Sequence, residues 1–454
     1  MGISMSTSKL QKIANFFQFQ RLETNFKTEA IAGITTFATM AYILAVNPNI
    51  LSKAIFLETP GDLFPELVIA TAISAAIATF IMGIYAKYPF ALAPGMGLNA
   101  YFAFSVVLGL GIPWQLALGA VFIEGLIFIA LSLTKLREKI VKEIPESIKH
   151  ATAAGIGLFL AYIALTSTQI IVPNEATITA LGNLRQPTTL VAIAGIFITS
   201  AFTVRRLKGA LILGILTAAL LGWILGIAPW PTAIINIPEL PINLFGRGLI
   251  GLTDLGKFKI WELISVVLAF LFVDFFDTVG TLTGLGIKAG YINEKGELPQ
   301  ANKAFMADAI GTTVGAILGT STVTSYIESA SGVAEGGRSG FTAVIVGLLF
   351  LVSIFFIPLL AAIPTFATAS ALLIVGVLMM GSVKNIRWQD PAEAISAFLT
   401  ILIMPLSYSI SEGLAVGLIS YPLLKSFQGK FGEVSIFMWV FAAVFLLKFI
   451  AINN

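Results

Sequence analysis

Apolar runs recur along the whole chain, and most approach the roughly 20 residues that a helix needs to cross a bilayer. The connections between the runs are short, so no soluble domain of useful size fits between them. The pattern predicts a single polytopic, all-α membrane unit. The runs cover 31–46, 67–85, 116–133, 152–165, 190–204, 210–227, 263–282, 341–362, 367–380, 395–406 and 434–452.

Two hydrophobic stretches break at matching places, one in each half of the chain. The first break covers 89–99 and holds two prolines and two glycines, and the second covers 319–328 and is rich in threonine and serine. In lipid, irregular backbone persists only where protein covers it or where it lines a wet cavity. Paired interruptions of this kind point to a transporter's substrate site. The two breaks therefore predict a carrier that binds a small polar molecule between them.

The number of segments before the middle of the chain predicts how the two halves are related. Seven apolar segments precede residue 229 when the short one after Gly95 is counted. An odd number forces the second half to enter the bilayer from the opposite side, so we predict an inverted repeat. The apolar stretch at 435–450 exceeds a seven-plus-seven scheme, and it either lies along the membrane or crosses it. The predicted divisions are a cytoplasmic N-terminal segment at 1–27, a first repeat at 28–228, an external linker at 229–257, and a second repeat with the last hydrophobic segment at 258–454.

The charge distribution predicts the orientation of the chain. Charged residues make up only 11% and hydrophobic residues 57% of the sequence. The basic residues gather in the N-terminal tail and in alternate loops, which the positive-inside rule makes cytoplasmic. We expect a multi-pass protein of the cell membrane with a cytoplasmic N-terminus, whose partner is the lipid bilayer and not a nucleic acid. The basic residues of this tail and these loops are Lys9, Lys12, Arg21, Lys27, Lys135, Arg137, Lys139, Lys142, Lys149, Arg205, Arg206, Lys208, Lys288, Lys295, Lys303, Lys384 and Arg387.

Acidic residues inside the apolar runs are the main candidates for function, because each costs about 2.5–3.5 kcal/mol to insert. Asp274 and Asp277 share a helix face at a spacing of three residues, and Thr278 extends that face. Glu328 opens the helix after the second break. Such carboxyls can accept hydrogen bonds from the N–H groups of a neutral heterocycle or carry a proton. Glu124 and Asp308 also lie in or near spans, and their role is left open between structure and function.

The breaks supply the remaining candidates for substrate binding. Asn99 offers two donors and an acceptor, while Gly95 and Gly97 let a ligand approach the backbone closely. Ser325 adds a hydroxyl in the second break. His150 is the single histidine and lies beside Lys149 at a cytoplasmic end, where we expect an interfacial role.

Five blocks of the sequence resemble the AzgA-like branch of the nucleobase–cation symporters, a family of purine permeases. The resemblance implies about 14 segments in a seven-plus-seven inverted repeat, with a short strand and a half-helix in each of the broken third and tenth segments. It also implies a core domain at about 28–134 and 258–362 and a gate domain in the remainder. The blocks are TTFATMAYILAVNPNIL (35–51), APGMGLNAYFAF (93–104), FVDFFDTVGTLTG (272–284), TSYIESASGVAEGGRSG (324–340) and MPLSYSISEGLAVG (404–417).

The resemblance also implies a substrate and a site. The substrate would be adenine, guanine or hypoxanthine, imported together with protons and without another cofactor. The family's two base-holding acids match Asp277 and Glu328, which would also couple the proton. Its further acid in the eighth segment matches Asp274, and its glycine and asparagine in the third segment match Gly97 and Asn99.

One position departs from the pattern of the uracil-type relatives. Thr281 stands where those relatives carry a histidine, which fits the purine branch and argues against a histidine relay.

An anion carrier of this architecture would require a basic residue or bare helix dipoles at the site, and an intramembrane enzyme would require a nucleophile–base pair or metal ligands. A passive channel needs no midplane carboxylates. The sequence leaves open the preferred base, a pyrimidine or xanthine substrate, proton or sodium coupling, and a monomer or homodimer.

Overall fold

The structure is a computed structural model that describes residues 3–134, 143–253, 260–293 and 298–452. The predicted cytoplasmic residues Lys135, Arg137, Lys139, Lys142 and Lys295 lie outside the described residues, as does the end of the predicted linker at 254–257. The α-helices are α1 (Ile3–Phe16), α2 (Phe26–Met40), α3 (Ile43–Leu51), α4 (Phe64–Ile81), α5 (Met96–Ala100), α6 (Trp114–Ser132), α7 (Glu146–Ser167), α8 (Pro187–Val204), α9 (Ala210–Ile224), α10 (Arg247–Gly251), α11 (Ile260–Ala289), α12 (Ala301–Leu318), α13 (Ser329–Ala334), α14 (Gly340–Ser353), α15 (Ile357–Ala361), α16 (Thr365–Met380), α17 (Pro391–Leu406), α18 (Ile410–Phe427) and α19 (Ile436–Ile452). The strands are β1 (Leu92–Pro94), β2 (Ile171–Asn174), β3 (Ile178–Leu181) and β4 (Val323–Ser325).

Eight helical stretches among the described residues are long and apolar enough to cross a membrane. The helices α9, α12, α17 and α18 and the two broken stretches bring the described segments to seven in each half, and α19 follows as an additional helix. The eight stretches are Phe26–Leu51, Phe64–Ala86, Trp114–Ser132, Glu146–Ser167, Pro187–Val204, Glu262–Ala289, Gly340–Ala361 and Thr365–Asn385.

The segments pack as two groups, which we call the core group (α2–α6 and α11–α15) and the gate group (α7–α9 and α16–α18). In the core group α12 packs against α6 and α4, and α14 packs against α2 and α4. In the gate group α7 packs against α16 and α17, and α8 packs against α9. Fewer contacts join the groups: they run from α5 and α11 to α7 and α18, and from α2 and α3 to α9 and α16. The domain boundaries proposed from the sequence stay predictions.

Close approach between core helices depends on glycines that face each other. A Cβ added to Gly340 at the start of α14 would lie 1.9 Å from the carbonyl oxygen of Gly83, so neither helix has room for a side chain there. Gly319 ends α12 with φ +98°, a left-handed conformation that glycine adopts without strain. The chain can therefore turn sharply from α12 into the second break.

The last hydrophobic segment forms α19, which packs along the bundle against α18 and α11. Met438 and Phe445 are fully buried, and the ring of Phe441 packs edge-on against Phe272 of α11 at 4.6 Å between centroids. The opposite face exposes Val440 and Leu447, as expected for a helix with lipid on its outer side. An exposed hairpin of β2 and β3 between α7 and α8 is a feature that the hydrophobic pattern does not reveal.

Candidate functional site

The two breaks meet inside the core group. Strand β1 of the first break pairs antiparallel with β4 of the second, so that Leu92 lies opposite Ser325. The pairing continues past the strands, because the backbone N–H of Gly95 donates to the carbonyl of Thr322 at 2.9 Å. All residues of both strands are buried. The irregular backbone is therefore satisfied by its partner break and shielded from lipid, as the bilayer requires.

A short helix starts where each strand ends. Helix α5 begins after Gly95, and α13 begins after Glu328, which is its N-cap residue. Helix α5 continues as a π-helix at Tyr101–Gly109, a rare conformation that is frequent at functional sites. The sequence predicted half-helices at both places but not the π-helical winding.

Two half-buried carboxyls approach each other from different core elements. Glu328 accepts a hydrogen bond from the hydroxyl of Tyr42 at 2.6 Å. Asp277, on α11, accepts a hydrogen bond from the hydroxyl of Thr324 at 3.3 Å. Both acids line one cavity of 690 Å³, a volume within the range of about 300–1,000 Å³ that is typical of small-molecule sites.

The cavity extends from these acids to one end of the bundle between the core and gate groups. Its walls are largely apolar, with Phe276 on the core side and Ile156 and Val375 on the gate side. Lys149 and His150 line its far end, so His150 lies at the mouth and away from the acids. Among the described residues that line the cavity, Lys149 is the only lysine or arginine, and it also pairs with Glu146 at 2.8 Å. The inner end therefore presents two carboxyl groups, without a described lysine or arginine beside them, to a ligand.

Asp274 does not line the cavity, although it shares a helix with Asp277. Its side chain is fully buried and faces the carboxyl of Glu124 of α6. Thr278 and Ser325 are also buried behind the cavity surface, and both hydroxyls donate to Asp308 of α12, at 3.0 and 3.3 Å. These sequence candidates form a polar layer behind the cavity rather than a part of its wall.

The residues of the first break support the site from the other side. Asn99 is buried, and its Nδ2 donates to Oδ1 of Asn47 at 2.9 Å. A Cβ on Gly97 would lie 2.5 Å from Ile156 of the gate group, and one on Gly95 would lie 2.7 Å from Thr324. These glycines allow α5 to approach the gate group and β4 closely, and they do not contribute to the cavity wall.

Three residues of the site were not predicted from the sequence. Tyr42 holds Glu328, Thr324 holds Asp277, and Asn47 links Asn99 to Thr320, to which it donates at 2.9 Å. Tyr42 and Asn47 occupy the first span, where α2 gives way to α3. A proline within an apolar run signals an irregular helix, but Pro48 lies inside α3 and does not locate the break at Ala41 and Tyr42.

Sequence comparison identifies relatives over nearly the full length of the chain. The sequence profile of the Permease family matches residues 27–416. A putative permease of Methanocaldococcus jannaschii is 53% identical over 97% of this chain and 99% of its own length. A guanine/hypoxanthine permease of Bacillus subtilis is 47% identical over 96% of this chain and 99% of its own length. An adenine permease of Escherichia coli is 40% identical over 98% of both chains.

Solved structures confirm the fold. The transmembrane domain of a cyanobacterial bicarbonate transporter superposes with a TM-score of 0.60 at 18% identity, over 87% of this chain and 97% of that one. A murine anion transporter of solute carrier family 26, in its inward-facing state, superposes with a TM-score of 0.58 at 11% identity, over 89% of this chain and 69% of that one. The predicted seven-plus-seven inverted repeat is thus correct. The chain is a membrane transporter and not an enzyme: it belongs to the Permease family and, through these relatives, to the AzgA-like branch that its sequence blocks indicate.

Proposed function

We propose that this protein imports purine nucleobases across the cell membrane together with protons. The observation that carries the proposal is the pair of half-buried carboxyls, Asp277 and Glu328, at the closed end of one largely apolar cavity. The relatives named for guanine, hypoxanthine and adenine support the purine class. The basic loops support a cytoplasmic N-terminus and a cytoplasmic mouth of the cavity beside Lys149.

The chemistry of a purine base complements this end of the cavity. A base is flat, neutral and apolar on its faces, and its edge carries N–H donors. A carboxylate can accept two such donors at once, so Glu328 binds the edge of the base. Phe276 and Ile156 offer apolar surface to its faces. An anionic substrate would meet two acids here instead of a cation, which argues against an anion carrier despite the shared fold.

Asp277 is the group that exchanges a proton with water in the cavity. It lies on α11 beside the bound base, where it is half-buried and accepts from Thr324. Protonation removes its charge while the base is bound next to it, so the loaded site carries one negative charge less. Loading of base and proton is thereby linked at neighbouring carboxyls.

Alternating access requires one side of the site to be closed while the other is open. The side away from the mouth is closed by Tyr408, in the turn between α17 and α18 of the gate group. The hydroxyl of Ser105, in the third segment, donates to the backbone carbonyl of Tyr408 at 2.7 Å. The ring of Tyr408 packs edge-on against Phe104 and Phe159, at 6.0 and 5.5 Å between centroids. With the cytoplasmic orientation above, this is an inward-open carrier, and rocking of the core group against the gate group exposes the site outside.

The proposal is tested by uptake of labelled adenine, guanine and hypoxanthine into proteoliposomes with and without an inward proton gradient. Gradient-driven accumulation of one base is expected, and Glu328→Gln should abolish it while the protein still inserts. Glu58→Gln, the same substitution at an exposed loop position, is the matched control. Normal uptake by Glu328→Gln contradicts the site. Absence of adenine, guanine and hypoxanthine uptake by the native protein contradicts the substrate class and directs the assay to uracil, xanthine and then bicarbonate.

A further inference from the structure

Three carboxyl groups lie buried behind the cavity. Glu124 of α6, Asp274 of α11 and Asp308 of α12 expose none of their surface. Burial of a charged carboxylate is expensive unless the charge is paired or removed. These acids therefore need a physical account that the base-binding role of Asp277 and Glu328 does not give.

The carboxyls of Glu124 and Asp274 face each other within reach of a shared hydrogen bond. An ionised carboxylate is an acceptor only, so two carboxyls can share a hydrogen bond only when at least one of them carries a proton. Oε2 of Glu124 accepts from the hydroxyl of Thr322 at 3.0 Å. No hydroxyl or N–H group of the described residues donates to Oε1 of Glu124, which leaves the carboxyl of Asp274 as its partner. A hydrogen bond shared by the two carboxyls therefore requires a bound proton between them.

A chain of hydroxyls connects this pair to the cavity. The hydroxyl of Thr278 lies 3.5 Å from Oδ1 of Asp274 and 3.0 Å from the hydroxyl of Thr324. The hydroxyl of Thr324 in turn lies 3.3 Å from Oδ2 of Asp277, which lines the cavity. Every step of the route from the cavity to the pair is a contact between groups that can donate and accept.

We propose that the Glu124–Asp274 pair is a buried proton-binding site of the transport cycle, reached from Asp277 through Thr324 and Thr278. This proposal rests on the proton-coupled transport proposed above. A proton from water protonates Asp277, each hydroxyl passes one proton on as it receives another, and one additional proton ends on the pair. The pair then alternates between one shared proton with a net negative charge and two protons without charge.

The charge of the pair acts on the substrate site through the same hydroxyls. Each threonine hydroxyl has a single hydrogen to donate. In the structure Thr278 donates its hydrogen to Asp308 at 3.0 Å, and Thr324 donates to Asp277 at 3.3 Å. A charged pair competes with Asp308 for the hydrogen of Thr278, whereas a neutral pair can donate to Thr278 instead. The charge of the pair therefore changes the hydroxyl contacts that reach Asp277 beside the base.

Other ionisable groups lie around the Glu124–Asp274 pair and along its hydroxyl chain. Asp308 faces the pair from α12 and accepts from Thr278 at 3.0 Å, so it competes with Asp274 for the single hydrogen of Thr278. On the cavity side, Asp277 lies nearest along the hydroxyl chain, and Glu328 with Tyr42 lies beyond it.

The first experiment compares the native protein with Glu124→Gln under an inward gradient of about one pH unit, which supports about tenfold accumulation of a neutral base at one proton per base. The glutamine amide can still donate to Asp274 but cannot exchange a proton. We expect accumulation by Glu124→Gln to fall to the ratio reached without a gradient, while exchange of labelled for unlabelled base across the membrane persists. Asp274→Asn tests the same pair from its other member if Glu124→Gln does not fold. Glu175→Gln, at an exposed hairpin position, should accumulate base as the native protein does.

A second measurement detects the shared proton without transport. The infrared carbonyl band of a protonated carboxyl should be present in the native protein at neutral pH and reduced in Glu124→Gln, but not in Glu175→Gln. A merely structural role for the pair predicts no loss of coupling in a variant that still exchanges base.

The outcomes separate this proposal from the proposed function. Accumulation by Glu124→Gln equal to that of the native protein overturns the pair as a coupling site and leaves proton-driven purine import standing. If the native protein accumulates base on a sodium gradient and not on a proton gradient, the proposed coupling ion fails and the pair fails with it.

Discussion

The hydroxyl of Tyr42 offers the sharpest test of how the site holds a base. Tyr42→Phe removes one oxygen atom and leaves the ring, which is fully buried, in its place. The lost contact is the 2.6 Å hydrogen bond to Oε1 of Glu328. We expect weaker binding of the base with little change in the amount of inserted protein.

The expected change in binding free energy depends on how much of the energy of this hydrogen bond differs between the empty and the loaded site. A hydrogen bond to a charged group is worth about 1.5–3 kcal/mol, but Tyr42 makes it in both states, so most of that energy cancels. What remains is the cost of immobilising the Glu328 side chain when the base binds, about 0.5–1.5 kcal/mol for one side chain. This corresponds to a loss of about two- to twelvefold in affinity.

The assay is initial-rate uptake into proteoliposomes over a range of base concentrations, with Tyr85→Phe at an exposed position as the matched control. Tyr42→Phe should raise KM by this factor and leave the maximal rate nearly unchanged, because positioning acts on binding. An unchanged KM would refute the positioning role. Loss of uptake as complete as in Glu328→Gln would instead mean that the hydroxyl contacts the base directly.

Three further predictions concern the gap between the groups, the open side and the gate. Gly97→Ala places a methyl carbon 2.5 Å from Ile156, so it should slow transport more than it weakens base binding, and Ile156→Ala in the same chain should restore part of the rate. The chain has no cysteine, and Gly280 lines the cavity with open space at its Cβ, so Gly280→Cys should react with a membrane-impermeant maleimide from the cytoplasmic side and be protected by base. Burial alone would raise the pKa of Asp390, but hydrogen bonds from Lys425 and Gln428 hold it well below its usual range. Because this folded-state pKa lies below the unfolded one, the stability that it contributes is present above about pH 4 and is lost as the pH falls. The thermal unfolding temperature of Asp390→Asn should therefore decrease less on acidification than that of the native protein.

The sequence predicted the breaks because the bilayer restricts backbone so strongly. A glycine- and proline-rich interruption in an apolar run must be covered by protein, and two such interruptions in inverted halves can cover each other. The structure pairs them as β1 and β4. The register of the pairing, with Leu92 opposite Ser325, depends on the packing of core helices around it, and that packing leaves no local signal in either break.

The side-chain geometry of the site was less predictable. Asp274 and Asp277 are three residues apart, which on a helix of 3.6 residues per turn separates their directions by about 60°. A sequence pattern places both on one face, but the rotation of α11 decides that Asp277 reaches the cavity while Asp274 reaches Glu124. Tyr42 and Glu328 are 286 residues apart, and no periodicity relates them.

The partners of the acids differ between the centre and the periphery of the molecule, and the difference bears on function. At the periphery, Asp390 pairs with the ammonium of Lys425 at 2.6 Å, a strong, charge-assisted contact that keeps the gate helices together. In the cavity, Glu328 and Asp277 accept from hydroxyls of Tyr42 and Thr324 instead. A hydroxyl rotates its hydrogen to another acceptor at little cost. An ammonium beside a carboxylate would instead keep the carboxylate ionised and paired with the ammonium. A carrier must release both base and proton in every cycle, so hydroxyl partners at the acids are the arrangement that lets the site empty again.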